Sequence, residues 1–232
     1  MRAILLAAGL GTRLRPITDV VPKCLVPING QPLLDIWLSR LTQAGVGPFL
    51  INTHYLARQV ENYVAASSYK DHVQLVNEPH LLGTAGTLIS NLEFFQEEDG
   101  LLIHADNYCL ADFIDFQRAH ANRPSDCLIT MLTFRTTDPQ SCGIVEVNAS
   151  GVVVGFYEKV KNPPGNLANG AIYILSPELL AELSLESNVL TDFSTEVVPR
   201  YIGRIYTYET AAVFLDIGTP KTYTQANNSL VV

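Results

Sequence analysis

MRAILLAAGLGTRLRPITDVVPKCLVPING, residues Met1 to Gly30, sets the reading of everything that follows. Met1 to Ala8 is a short apolar run with one basic residue near its start, and a glycine pair comes directly after it. Such a run reads as a buried parallel strand entering a tight turn. Gly9 and Gly11 lack a Cβ where a backbone must bend sharply or let a ligand come close. Thr12, Arg13, Arg15 and Lys23 then add a hydroxyl and three cations. Backbone N–H groups beside fixed cations suit a polyphosphate, so the stretch reads as a nucleotide site. The bland alternative is a glycine turn next to a solvated basic loop.

The kind of nucleotide site can be narrowed by elimination. No G-x-x-x-x-G-K-[ST] run occurs in the chain, and Gly9-Leu-Gly11-Thr-Arg lacks the third glycine of a dinucleotide fingerprint. What remains is G-x-G-T-R-L-x-P, a spacer, Pro22-Lys23 and Leu25-Val26-Pro27. This series resembles the signature of the sugar-1-phosphate nucleotidylyltransferases. The resemblance implies a Rossmann-like α/β fold: a doubly wound, mostly parallel sheet with a β-rich sugar-binding portion in the C-terminal half. It implies one domain over residues 1–232, with a nucleotide-binding half to about 135 and a sugar-binding half from about 136. Leu6, Ala8, Gly9, Gly11, Thr12 and Arg13 would line the nucleotide.

At 232 residues the chain can bury a full core. No apolar stretch approaches the roughly 20 residues of a membrane span, and the N-terminal apolar run leads into the motif rather than into a cleavage site. Four scattered cysteines without metal spacing point to reduced thiols and a cytoplasmic setting. The net charge of −8 argues against nucleic acid as a partner. Four of the fifteen Lys and Arg residues nonetheless fall within the first 23 positions, so the cations a polyphosphate needs are concentrated locally.

Downstream, Gln31-Pro32 opens a predicted helix whose Leu34, Trp37, Leu38 and Leu41 recur at core spacing. Strands at Phe49–Asn52 and Val73–Val76 alternate with a helix over Leu56–Ala66, which implies a parallel sheet. The next informative stretch is Asn77-Glu78-Pro-His-Leu-Leu-Gly83-Thr84-Ala-Gly86. Small residues at a helix start let a ligand approach free N–H groups. In the resembling family this segment lines the base pocket, with Gly83 and Thr84 at the nucleotide. A Glu78 carboxylate can accept from the two adjacent donors of guanine; read alone, Glu78 would be solvated and Gly83 a turn residue.

Asp106 follows an apolar strand, Leu101–Ala105, at the position where open α/β sheets bind ligands. By resemblance it holds Mg²⁺ against the nucleotide phosphates. His104, Asp106 and Cys109 do not have a usual zinc spacing. Beyond a strand over Cys127–Phe134 the segments become short and β-rich: a hairpin with its turn at Asn148–Gly151, then Glu158-Lys159 and Asn169-Gly170. The resemblance gives Gly143, Glu158 and Asn169 to the sugar hydroxyls and Lys159 to the sugar phosphate. A Val160 replaces the family's usual proline after Lys159. A helix is predicted from Asp192 to Arg200. Phe214-Leu-Asp216-Ile-Gly-Thr-Pro220 stands where the family has W-x-D-I-G-T-P, and makes Asp216 the second metal carboxylate.

The expected activity joins a nucleoside triphosphate, GTP by preference, to a sugar 1-phosphate with release of pyrophosphate. Arg13, Lys23, Asp106 and Lys159 are the expected catalytic residues, and Asp106 and Asp216 the Mg²⁺ ligands. Uridylyl or thymidylyl transfer, phosphocholine cytidylyl transfer (suggested by His104-Ala-Asp-Asn-Tyr108) and a non-catalytic nucleotide-sugar sensor stay open beside it. The sugar, the oligomeric state and any regulation are not legible at this level.

Overall fold

The first apolar run forms β1 (Arg2–Leu6), with Ala3, Ile4 and Leu5 fully buried. The computed structural model describes residues 1–186 and 189–228. After three short 3-10 turns the chain makes a small hairpin of β2 (Pro27–Ile28) and β3 (Gln31–Pro32). Asn29 and Gly30 both take positive φ at its tip, the backbone that an Asn-Gly pair favours. Gln31 and Pro32 therefore close a hairpin rather than open a helix. α1 (Leu33–Gln43) begins one residue later with Pro32 as its N-cap, and its Leu34, Trp37, Leu38 and Leu41 are buried as their spacing predicts.

β4 (Phe49–Thr53), α2 (Ala57–Ala66) and β5 (Val73–Asn77) follow. Next come α3 (Gly83–Ser90), β6 (Gly100–His104), β7 (Asn107–Cys109), α4 (Phe113–Ala121) and β8 (Ile129–Arg135). β9 (Gly143–Val147), β10 (Val153–Glu158) and β11 (Leu167–Leu175) precede α5 (Pro177–Ser184), β12 (Ile205–Glu209), β13 (Phe214–Asp216) and α6 (Pro220–Asn228). The fold is mixed α/β with a mostly parallel sheet at its centre, as the β–α alternation implies.

The chain divides into two compact units that do not follow sequence order. The first gathers Met1–Leu81, Ile103–Leu110 and the stretch from Val213 onward. Within it β1 pairs with β4 and β4 with β5, both in parallel, in the registers Leu5↔Ile51 and Asn52↔Val76. The parallel β4 is buried at every residue, as expected of a strand covered on both faces. A separate antiparallel ribbon joins β7 to β13, with Asp216 opposite Asn107. Trp37 Nε1 donates to Asn107 O at 2.8 Å and so ties α1 to that ribbon.

The second unit, Leu82–Leu102 with Ala111–Ala212, is the β-rich one. β11 runs antiparallel to β8, β10 antiparallel to β9, and β12 parallel to β8. The hairpin turn predicted at Asn148 is present, with Asn148 Oδ1 accepting from Ser150 N and Val152 N. Ser176 caps α5, accepting from Leu179 N at 3.3 Å. The helix predicted over Asp192–Arg200 is instead a π turn, Phe193–Val197, followed by a 3-10 turn, Val198–Tyr201. Pro199 explains the break, because its nitrogen has no hydrogen to donate four residues back.

Candidate active site

In the first unit two aspartates 110 positions apart in sequence meet around one lysine. Asp106 lies just past β6, and the β7–β13 ribbon returns the chain so that Ile217 N donates to Asp106 O at 3.2 Å. The same 3-10 turn that follows Pro22 buries Lys23. Its Nζ lies 2.7 Å from Asp106 Oδ2 and 3.3 Å from Asp216 Oδ1. The lysine side chain is only 7% exposed, whereas those of Asp106 and Asp216 are 40% and 49% exposed. Burial works against the Asp106 anion, but Lys23 and then His104 outweigh it and hold the carboxyl below the usual carboxylate range. The cluster thus presents two carboxylates to solvent from a buried, fixed positive charge.

Arg13 comes to the same cluster from the glycine turn. Gly11 is left-handed at φ +62, and a Cβ there would lie 2.8 Å from Thr18 Cγ2. Thr18 Oγ1 donates to Gly11 O at 2.7 Å and fixes the turn. A 3-10 turn over Thr12–Leu14 follows, with Thr12 and Arg13 exposed. Arg13 Nη2 reaches Asp216 Oδ2 at 3.3 Å. A Cβ on Gly218 would sit 2.8 Å from both of those atoms, so a larger residue there would make these two exposed side chains shift. Gly9 is different: a Cβ there meets nothing within 4 Å. Leu6 and Ala8 flank the strand end, with Leu6 O accepting from Ala105 N at 3.1 Å and Ala8 buried.

Glu78 is buried at 3% exposure and not solvated. Its Oε1 accepts from Asn52 Nδ2 at 2.9 Å, and Asn52 Oδ1 accepts in turn from Ala7 N at 2.7 Å. Glu78 N donates to Thr53 O at 2.8 Å, and His54 Nδ1 lies 2.7 Å from Glu78 O. Asn52, Thr53 and His54 were not among the residues expected from the sequence. They sit at the end of an apolar run read only as a strand, and no local spacing connects them to position 78.

In the second unit, Gly83 and Thr84 are engaged by the chain itself. A Cβ on Gly83 would lie 2.2 Å from Thr191 O, and φ there is +78. Thr84 Oγ1 accepts from Phe193 N at 2.7 Å, and Ala85 N donates to Thr191 O at 3.1 Å. The expected sugar residues also lie in this unit. A Cβ on Gly143 would come 2.5 Å from Glu158 Oε2, while Glu158 Oε1 pairs with Lys159 Nζ at 3.2 Å. Lys159 itself is left-handed at φ +49 and its ammonium end is mostly exposed. Asn169 Nδ2 donates to Tyr173 Oη at 2.6 Å and its Oδ1 accepts from Ala171 N, next to a bulge where Ala171 takes φ +52.

Among the described residues no group of three or more His, Cys, Asp and Glu is placed to hold a metal ion. All four cysteines are free thiols. Among the described residues no helix is long and apolar enough to cross a membrane.

A mannose-1-phosphate guanylyltransferase from Mycobacterium tuberculosis is 28% identical over 99% of the chain and 64% of its own length. A glucose-1-phosphate adenylyltransferase from Thermotoga maritima is 28% identical over 99% of the chain and 60% of its own. The chain thus spans a little under two thirds of these relatives. Among solved structures, HddC from Yersinia pseudotuberculosis complexed with GMP-PN superposes with a TM-score of 0.81 at 25% identity, covering 98% of both chains. The sequence pattern of the nucleotidyl transferases matches residues 2–231, and the chain belongs to that family.

Proposed function

We propose that the chain, acting as one nucleotidyltransferase domain, transfers GMP from GTP to a sugar 1-phosphate and releases pyrophosphate. The observation that carries this reading is the Asp106–Lys23–Asp216 cluster, reached by Arg13 from the glycine turn. The donor set fits a hard divalent cation, taken here as Mg²⁺: two half-exposed carboxylates, one of them held ionised, with phosphate and water to complete the shell. Bound by Asp106 and Asp216, Mg²⁺ would neutralise phosphate charge and favour in-line displacement at the α-phosphorus.

The chain's own residues account for the rest. A sugar phosphate oxygen is already anionic at neutral pH, so no general base is required; what must be overcome is the approach of one anion to another. Arg13 and Asp216 are both well exposed, and such a pair is held by only about 0–1 kcal/mol. Arg13 can therefore exchange that partner for the pyrophosphate oxygens at little cost. Lys23 is buried between the carboxylates and acts as a fixed charge that orients them and faces the α-phosphate. Leu6, Ala8, Gly9, Gly11 and Thr12 line the triphosphate, and the open space at Gly9 is where backbone and ligand can approach. Lys159 can leave Glu158 for the sugar phosphate, while Gly143, Glu158 and Asn169 take sugar hydroxyls.

The base choice follows from donor and acceptor matching. An ionised carboxylate can only accept, and guanine offers two adjacent donors at N1 and the 2-amino group. Adenine presents an acceptor at N1, which would face the Glu78 oxygens unmatched. A cytoplasmic setting accords with a soluble substrate pair. The test is pyrophosphate release over a panel of triphosphates against hexose and heptose 1-phosphates and phosphocholine. GTP with a sugar 1-phosphate should give the highest kcat/KM. Turnover with phosphocholine alone, or with UTP or dTTP ahead of GTP, would replace this reading.

A further inference from the structure

We infer that Asn52 is a specificity-determining positioning residue, which sets the orientation of the Glu78 carboxylate toward the base; the inference rests on the guanine reading above. Asn52 is buried at 3% exposure, and its amide has two distinct ends. The Ala7 N–H, 2.7 Å away, can only donate, so the end that meets it must be the carbonyl oxygen Oδ1. The amide cannot flip without turning its NH₂ group against another donor. Nδ2 is therefore forced toward Glu78 Oε1 at 2.9 Å.

The same short segment fixes the rest of the glutamate. Thr53 O receives Glu78 N at 2.8 Å, and His54 Nδ1 lies 2.7 Å from Glu78 O. Three consecutive residues thus hold the amide nitrogen, the carbonyl and the carboxylate of one side of the base site. Of these three contacts, the one from Asn52 is made to the carboxylate itself. Because Ala7 precedes Ala8 and Gly9, the same amide also links the base-reading group to the strand end that starts the triphosphate loop. A carboxylate held in this way presents acceptors in a fixed direction, which is how a site rejects an analogue that lacks a matching donor.

The chemistry predicts which substitution does most. Asn52→Asp is nearly isosteric and keeps an acceptor for Ala7 N–H, but it sets a carboxylate oxygen against the Glu78 carboxylate. Two carboxylates at that distance do not both ionise, so Glu78 must turn away or take a proton. Asn52→Ala removes the donor without adding a charge and serves if the aspartate variant does not fold.

The experiment compares kcat/KM for GTP and for ITP, which lacks only the 2-amino group, using one sugar 1-phosphate, with UTP as a reference for wild type. Wild type should favour GTP over ITP, and in Asn52→Asp and Asn52→Ala that preference should fall about tenfold or more, as when a paired polar contact is lost. KM for the sugar 1-phosphate should stay near its wild-type value. If the variants slow GTP and ITP equally, so that the ratio keeps its wild-type value, Asn52 serves the fold alone and the inference is overturned. If wild type itself treats ITP like GTP, or prefers UTP, the guanine reading fails and takes the inference with it.

Discussion

Two glycine motifs in this chain read alike in sequence and have opposite surroundings in the fold. At Gly9 a Cβ would meet nothing within 4 Å, and the backbone φ is one any residue adopts. At Gly83 a Cβ would be 2.2 Å from the Thr191 carbonyl oxygen, on a backbone at φ +78. Gly9 leaves room that nothing in its own surroundings fills, whereas Gly11, two residues on, packs against Thr18 at φ +62. The second motif is filled by the 190–193 segment, which Thr84 and Ala85 also hold by hydrogen bonds. A glycine with open space at its Cβ and a glycine packed against a neighbouring backbone can be told apart only by what stands where the side chain would be.

The difference should separate activity from stability. The largest effect is expected beside the open motif, at Asp106. Asp106→Asn keeps an oxygen for Lys23 but loses the charge, and should slow turnover by at least ~10²-fold, about 3 kcal/mol in the barrier. Excess EDTA should abolish the same activity in wild type, and the melting temperature of the variant should change much less than its rate. Full turnover in EDTA, or a fully active Asn variant, would remove the two-carboxylate metal site from the account.

Gly83→Ala should come next, and in the other quantity. A new Cβ against a backbone oxygen, at a positive φ, should destabilise by about 2–3 kcal/mol in chemical denaturation. An unchanged midpoint would mean that the 190–193 segment yields easily, and the contrast between the two motifs would lose its physical basis.

Gly9→Ala then sharpens the comparison from the open side. Melting should be unchanged or slightly raised, since alanine at a compatible φ restricts the unfolded chain. Triphosphate kcat/KM should nonetheless fall by about tenfold, roughly 1.4 kcal/mol. Thr84→Val gives the smallest effect. It leaves the Phe193 N–H without its 2.7 Å acceptor at nearly constant shape, a loss of about 1 kcal/mol in stability.

Much of this was legible in the sequence, for definable reasons. The alternation of apolar runs with amphipathic spacing placed β1, α1, β4, α2 and β5, because each is governed by local periodicity. Asp106 and Asp216 stood out because each ends an apolar strand beside a turn, and the β7–β13 ribbon brings both to Lys23. The depth of Lys23 was not legible: a lysine after Pro22 in a basic loop gives no sign that its charge is buried between two anions. At Asn29-Gly30 two local signals compete: the dipeptide favours the hairpin that forms, and Pro32 just after it equally suits a helix start. Asn52 and the partners of Gly83 and Thr84 were hidden for a different reason. They act across 26 and about 108 positions, and their side chains look ordinary in their own segments.

The central claim is that the open glycine turn and the Lys23-bridged carboxylates form a nucleotidyl transfer site that takes GTP. Its most direct measurement is pyrophosphate release from GTP and a sugar 1-phosphate by wild type and Gly9→Ala at equal, verified folding. The account predicts release by wild type in the presence of Mg²⁺, and slower release by the variant with an unchanged melting curve. No release by folded wild type from any triphosphate and sugar 1-phosphate, or a Gly9→Ala variant as fast as wild type, would contradict it.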